Sequence, residues 1–363
     1  MSYERKNIAA MQGYQSGEQP EDSLTIKLNT NENPYPPSPM VDELVNNLNS
    51  DNLRRYPPPT ADKFRSLAAK IHEVQVNNII ATRGGDELLR LLITTYVEPG
   101  ETIAMSEPSY SLYPVLAQIQ NCPILKIPLQ DDWTLPTDFA DKVNNHGAKL
   151  TFIVNPHAPT GRLLDELSIT KLAEQLDSIL LVDEAYVDFI DPKIKYDCLK
   201  LVEKFDNLIF LRTLSKGYSL AGLRFGYGIA HPTLISPMLD KTRDSYNLDF
   251  FSQKIAEAAL RDQSYAQQTW QKVRDERKNL AQALEALGYY CAPSQANFLL
   301  VTPDKNLNGS AEMLYEYLKQ NNILVRFFNT PLLKDKLRIT VGSPNENRQL
   351  IDVLKKVLRK SSS

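Results

Sequence analysis

Between about Asn77 and Ala230 the chain repeats one pattern seven times: a short run of aliphatic or β-branched residues, usually set off from the next by a segment of helix length. The runs are NIIAT, ETIAMSEP, CPILKIPL, LTFIVNP, SILLVDEAY, NLIFLRT and FGYGIA. A strand with one wet face alternates apolar and polar residues, whereas these runs are apolar at successive positions. They therefore need cover on both faces, and the helix-length spacers supply it, which predicts a mainly parallel α/β sheet. In such a sheet ligands bind beyond the carboxyl ends of the strands, so the polar residues that end each run become the candidates for function.

The chain then changes character. After YNLDFFSQKIAEAAL comes a long charged segment, SYAQQTWQKVRDERKNLAQALEAL, apolar at helical spacing and closed by Gly288; it reads as a helix linking two parts. YYCAPSQANFLLVTP, a helix in SAEMLYEYLKQNN, strands ILVRFF and KLRITVG, and a last helix in NENRQLIDVLKKVLRK follow, an order that predicts a small α+β domain. The proline-rich stretches NENPYPPSP and RRYPPPT read as rigid surface loops, since helix-competent sequence follows each.

A chain of 363 residues with a formal net charge of -3 has no basic excess for nucleic acid, which leaves small-molecule chemistry as the expectation. Its start carries no secretory pattern and no run approaches a membrane span, so a cytoplasmic location is expected. Cys122, Cys198 and Cys291 are far apart and form no CxxC, and His72, His146, His157 and His231 are scattered. Neither a disulfide framework nor a metal site is expected.

Four features stand at strand ends. In NIIATRGGDELLRLL, Gly84 and Gly85 precede an acidic first helical turn at Asp86; such a turn lets backbone approach an anion and aims free N–H groups at it, although a plain strand-to-helix turn also accounts for the stretch. LTFIVNPHAPTG ends a strand at Asn155, whose amide suits a ligand oxygen, but Asn-Pro is also common turn punctuation. SILLVDEAYVDF runs from aliphatic strand into Asp183, Glu184 and Tyr186. A carboxylate there needs a cation or hydrogen bonds, so its partner is either a structural arginine or a cationic ligand. In FLRTLSKGYSLAGLRFGYG, Lys216 follows Thr213 and Ser215 and precedes Arg224. Alone, such a lysine reads as a solvated amine. Beside a buried carboxylate, a phosphate-type turn and a second cation, it suits covalent binding of pyridoxal phosphate.

The whole chain resembles the fold-type I aminotransferases that depend on pyridoxal phosphate, and within them the histidinol-phosphate aminotransferases. The motifs NTNENPYPPSP, RYP, GGDELLRLL, EPSYSLYP, NPHAPTG, VDEAYVDF, RTLSKGYSLAGLRFGYG, SQANFLLV and LRITVG occur in family order. The resemblance implies a large cofactor-binding domain over 36–262 and a small domain from 1–35, with its N-terminal arm, and 263–363. It makes Lys216 the Schiff-base lysine and Asp183 the partner of the pyridine nitrogen. Asn155 and Tyr186 would bond the ring hydroxyl, and Tyr110 would stack on the ring. Gly85, Asp86, Thr213, Ser215 and Arg224 would hold the phosphate. Tyr56 would reach the cofactor of a neighbouring subunit, which implies a homodimer with shared sites. One departure is NPHAPTG, where relatives usually carry asparagines at the positions of His157 and Ala158; the expectation is altered surroundings for Asn155 and retained cofactor binding.

The implied reaction is transamination between L-histidinol phosphate and 2-oxoglutarate, with Lys216 as the proton carrier. Arg326 and Arg338 would read phosphate and carboxylate, with Tyr14 and the Asn31 loop closing over the substrate. Surface arginines on strands are the plainer reading of that pair, less so for Arg338 inside its apolar run. An aromatic amino-acid aminotransferase of the same family is the alternative, followed by a decarboxylase of phosphate esters and a non-enzymatic cofactor-binding regulator. The absence of GxGxxG between a strand and a helix argues against a dinucleotide-dependent dehydrogenase.

Overall fold

A computed structural model of the chain describes residues 3–20, 22, 24–304 and 309–361. The first strand, β1 (Ile26–Lys27), belongs to a minor sheet. The next seven build the main one: β2 (Ile79–Thr82), β3 (Ile103–Glu107), β4 (Ile124–Pro128), β5 (Leu150–Val154), β6 (Ile179–Asp183), β7 (Leu208–Thr213) and β8 (Gly226–Ala230). Their order is β2-β8-β7-β6-β5-β3-β4. The pairs β3–β4, β3–β5, β5–β6 and β6–β7 are parallel, and β8 alone runs against its neighbours β2 and β7.

The uninterrupted apolar runs follow from the period of two in a strand. Leu180 and Val182 of β6 enter a core with Phe64, Ile169, Leu172 and Leu260 on one face of the sheet. Leu181 enters the opposite core with Leu88, Leu92 and Leu116. Phe210 of β7 takes the first face, Ile209 and Leu211 the second. With a core on each side, both parities of these strands are mainly apolar, and a buried polar residue such as Thr151 is hydrogen-bonded, here to Ser178 Oγ at 2.7 Å.

The chain after the long helix Gln263–Glu285 forms a separate antiparallel sheet. Gly288, at φ +81°, turns the chain into β9 (Tyr289–Cys291), followed by β10 (Phe298–Pro303), β11 (Ile323–Leu324), β12 (Arg326–Phe327) and β13 (Leu337–Thr340). Four of these pair in the order β12-β13-β10-β9. Leu280, Leu284, Leu314, Leu318, Leu350 and Leu354 of three covering helices build its core. The stretch ILVRFF is not the single strand that its pattern suggests. Its first half pairs in parallel with β1 and its second half antiparallel with β13, so the ladder breaks at Val325. No helix among the described residues is long and apolar enough to cross a membrane.

The reversal of β8 decides which residues share one edge of the sheet. Gly226, its first residue, pairs with Thr82 and Thr213, the last residues of β2 and β7. The turn carrying Arg224 is thereby delivered to the carboxyl edge where Gly84, Asn155, Asp183 and Lys216 also emerge.

Candidate active site

An anion cradle forms where β2 gives way to the helix Gly84–Tyr96. Arg83 at its N-cap offers no side-chain cap, so first-turn N–H groups stay open. Gly84 sits at φ +74°, and a Cβ there would lie 2.9 Å from Arg224 Nη2. A Cβ at Gly226 would lie 2.7 Å from the Gly84 carbonyl carbon and 2.8 Å from Gly85 N, so only glycine lets β8 begin against this turn. Thr213 Oγ1 donates to Ser215 Oγ at 2.9 Å, with both residues buried. Arg224 Nη2 meets Asp86 Oδ2 at 3.1 Å across the mouth. Hydroxyls, open amides and a guanidinium gathered at one edge of the sheet suit a phosphate group.

Lys216 is half-buried, and its Nζ donates to the Thr30 carbonyl at 2.9 Å. Desolvation lowers its pKa to about 8, helped by the positive charge of Arg338. Its amine is thus partly unprotonated near neutrality, as a nucleophile or base requires.

The adjacent carboxylates of the β6 end have different partners. Glu184 is matched by a structural arginine: Arg212 Nε donates to Oε2 at 2.6 Å and Tyr196 Oη to Oε1 at 2.7 Å. Among the described residues no cation pairs with Asp183. Its Oδ2 accepts from Tyr113 Oη at 2.8 Å and its Oδ1 from Ala185 N at 3.0 Å. Desolvation raises its pKa to about 6, while those hydrogen bonds oppose the rise. A buried carboxylate lacking a cation is completed by a ligand with a protonated nitrogen.

Asn155 is fully buried, and its amide is committed within the protein. Nδ2 donates to Tyr196 Oη at 2.9 Å and the Leu164 carbonyl at 3.1 Å, and Oδ1 accepts from Leu164 N at 2.8 Å. A ligand oxygen would have to take the place of one of these partners. Tyr186 Oη accepts from Asn31 Nδ2 at 2.9 Å and keeps its own proton to donate.

Arg326 and Arg338 stand directly opposite each other in β12 and β13. Like charges in that register repel. Arg338 Nη2 donates to the Asn29 carbonyl at 2.9 Å, and its guanidinium lies over the rings of Phe298 and Phe328. Among the described residues its Nε is buried without a partner. Burial, reinforced by the Arg326 charge, lowers its pKa. Two neighbouring guanidiniums with an orphan donor between apolar rings make a site for an anion.

The remaining expected residues divide. Tyr14 of the N-terminal arm and Tyr110 meet edge to face, with ring centroids 6.1 Å apart. Tyr56 does not join them: it is 80% exposed and stacks on Tyr246 at 4.4 Å. Sequence reasoning missed Tyr113, Tyr196 and the Thr30 carbonyl. Tyr113 had a signal, since it follows Tyr110 by three residues at the start of the helix Leu112–Ile119, one turn below it. The other two had none, because each contact joins distant segments. Among the described residues no group of three His, Cys, Asp or Glu is placed to hold a metal ion.

Fold and pocket together define a class, and the chain belongs to it: aminotransferase class I and II, whose profile matches residues 24–354. Within that class it is 42% identical over 359 residues to histidinol-phosphate aminotransferase 1 of Trichormus variabilis, 99% of each chain being covered. Histidinol-phosphate aminotransferase of Syntrophotalea carbinolica is also 42% identical, over 352 residues and 96% and 98% of the two chains. The crystal structure of histidinol-phosphate aminotransferase from Sinorhizobium meliloti in complex with pyridoxal-5'-phosphate shares the fold, with a TM-score of 0.90 at 23% identity over 99% of this chain and 98% of that one.

Proposed function

We propose that the chain is a histidinol-phosphate aminotransferase of histidine biosynthesis, which uses pyridoxal 5'-phosphate to move an amino group between L-histidinol phosphate and 2-oxoglutarate. The observation that carries the substrate reading is the cross-strand pair Arg326 and Arg338. Among the described residues neither takes part in an ion pair, and Arg338 Nε is an orphan. Leaving a guanidinium so placed without an anion is costly, and each substrate of the reaction brings one. The names of relatives 42% identical over nearly the whole chain support the same reading.

The cradle fits the cofactor on its own terms, since Gly84 and Gly226, where a Cβ would strike Arg224 and the Gly84–Gly85 backbone, let the guanidinium and the first-turn amides come together. Gly85 and Asp86 amides, Thr213, Ser215 and Arg224 would hold the phosphate, Lys216 the aldehyde carbon, and Asp183 the ring nitrogen. Tyr186 would donate to the ring hydroxyl, with Asn155 joining it at the expense of Tyr196, and Tyr110 would cover the ring. When bound, the cofactor supplies an electron sink that the protein's side chains lack.

The protein's own part is proton handling and orientation. Lys216 Nζ, with its pKa lowered to about 8, takes the proton from the substrate carbon that bears the amine. Asp183, held by Tyr113 and the Ala185 amide, keeps its carboxylate aimed at one point. Tyr14 and the Asn31 loop close over the substrate and exclude water. The reading divides the chain into a cofactor domain, 36–262, and a second domain from 1–35 and 263–363. It also makes the working form a cytoplasmic homodimer in which the exposed Tyr56 reaches the other subunit's cofactor.

The test is kcat/KM for L-histidinol phosphate beside phenylalanine, tyrosine and histidine, with Arg326→Ala and Arg338→Ala in parallel. Arg338→Ala is expected to damage both half-reactions and Arg326→Ala chiefly the phosphorylated substrate. A tenfold or greater preference for an aromatic amino acid, about 1.4 kcal/mol, would replace this reading with an aromatic aminotransferase.

A further inference from the structure

We infer that His157 is a positioning residue for the reaction: its ring ties the turn carrying Tyr110 to the turn after β5, and so fixes where Tyr110 stands over the lysine pocket. The inference rests on the proposed role of Tyr110 at the cofactor. The imidazole is buried, 7% exposed, and both its nitrogens are engaged. Nε2 lies 3.0 Å from the Pro108 carbonyl and Nδ1 lies 2.8 Å from Thr160 Oγ1. A carbonyl only accepts, so the proton is on Nε2, and Nδ1 accepts from the Thr160 hydroxyl. Burial holds the pKa at about 4, which keeps this single tautomer in place over the working range.

The two ends of the bridge differ in rigidity. The turn at 157–162 is closed by its own backbone: His157 N donates to Arg162 O at 2.7 Å, and Gly161 N to His157 O at 2.6 Å. It is anchored again where Gln295 N donates to Gly161 O at 2.7 Å. The turn at 108–110 has little of its own. It has one backbone bond, Tyr113 N donating to Tyr110 O at 3.2 Å; among the described residues Ser109 Oγ is buried without a partner, and Tyr110 is otherwise flanked by the rings of Tyr14 and Tyr113. Among the described residues the His157 bond is the only side-chain hydrogen bond to the backbone of 108–110. Asparagine at 157 would keep the partner at Thr160, because its amide reaches no further than Nδ1. Glutamine would place a donor near Nε2.

The test uses His157→Asn and His157→Gln, each as apoprotein and as the full enzyme. Hydrogen exchange of the Tyr113 amide, which donates to Tyr110 O at 3.2 Å, is expected to quicken about fivefold in the apoprotein of the Asn variant, the equivalent of about 1 kcal/mol, and to return toward wild type in the Gln variant. The dissociation constant for pyridoxal phosphate, read by equilibrium dialysis, should rise about fivefold with Asn, and kcat should fall while thermal stability changes little. Unchanged exchange in the Asn variant overturns the tie itself, whatever the chain catalyses. Faster exchange with cofactor affinity and kcat both within twofold of wild type overturns the positioning role. A wild-type protein that binds no pyridoxal phosphate removes the function on which the inference stands.

Discussion

Replacing Asp183 with asparagine should change how stability depends on pH, and the size of the change follows from the structure. In the folded apoprotein the carboxyl titrates at about 6, against 3.8 for an ordinary aspartate, because it is buried with only Tyr113 and the Ala185 amide to stabilise its charge. The folded state therefore holds the proton more tightly than the unfolded chain does. The stability this group contributes is present below about pH 4 and is lost as pH rises through about 6. A rise of that size corresponds to about 3 kcal/mol, at roughly 1.36 kcal/mol for each tenfold change in proton affinity. Asp183→Asn cannot titrate, yet keeps the contacts, with Oδ1 accepting from Ala185 and Nδ2 donating to Tyr113 Oη. Glu184 and Asp188, also raised by burial, contribute to the curves of both proteins and largely cancel in the difference. Urea unfolding of both apoproteins between pH 3 and 8 should show wild type losing about 3 kcal/mol relative to the variant. Parallel curves, with a difference constant to about 0.5 kcal/mol, would mean that Asp183 is already charged at low pH and that a cation of the protein reaches it.

Lys216→Ala should leave the fold intact while abolishing the visible absorbance of bound cofactor and lowering turnover by roughly three orders of magnitude or more; near wild-type turnover would remove Lys216 from the chemistry. Mixing Tyr56→Ala chains with Lys216→Ala chains should recover part of the lost activity, because one composite site then has both groups, and no recovery in a verified heterodimer would keep Tyr56 in its own subunit. Gly226→Ala should cost about 1 to 3 kcal/mol in thermal unfolding and weaken phosphate binding, since its Cβ would press on the Gly84–Gly85 backbone at 2.7 to 2.8 Å; an unshifted melting temperature would show that the turn yields. Arg338→Ala should cost about 1.5 to 3 kcal/mol per lost bond in kcat/KM for both substrates, and an effect confined to one of them would separate the two half-reactions.

The strands inside the sheet were legible because burial on two faces leaves its mark on nearly every residue, whereas the edge strand β4, with Lys126 and Pro128 exposed, was legible from its aliphatic residues alone, and the helices between the strands pointed to the parallel arrangement. The reversal of β8 was not, since FGYGIA reads the same in either direction; its sense is fixed by which neighbours it meets. The break at Val325 was hidden for a similar reason, as β1, which captures Ile323 and Leu324, lies almost 300 residues away in sequence. At the site, residues at strand ends could be named from their positions, but not told apart by environment. Asp183 and Glu184 are adjacent and chemically alike, and partners from elsewhere distinguish them: Arg212 and Tyr196 at Glu184, Tyr113 at Asp183. Lys216 carried its hydroxyl neighbours in its own motif, whereas the carbonyl that receives its amine comes from Thr30.

That last contact sets an order in time. The segment holding Thr30 is seated by the far end of the chain: Thr340 N donates to Leu28 O at 3.0 Å, Asn31 N to Thr340 Oγ1 at 3.0 Å, and Asn297 Nδ2 to Asn31 O at 3.0 Å. During synthesis the main sheet can close once Ala230 has been made, with Gly84, Asp183 and Lys216 already at its edge. The segment that caps the lysine is made before the main sheet, yet it must wait for β10, β11 and β13 before it has a place to bind. Such long-range closure is paid in folding time. A nascent chain therefore carries its reactive amine without the Thr30 contact until β13 has been made, the same strand that sets Arg338 opposite Arg326.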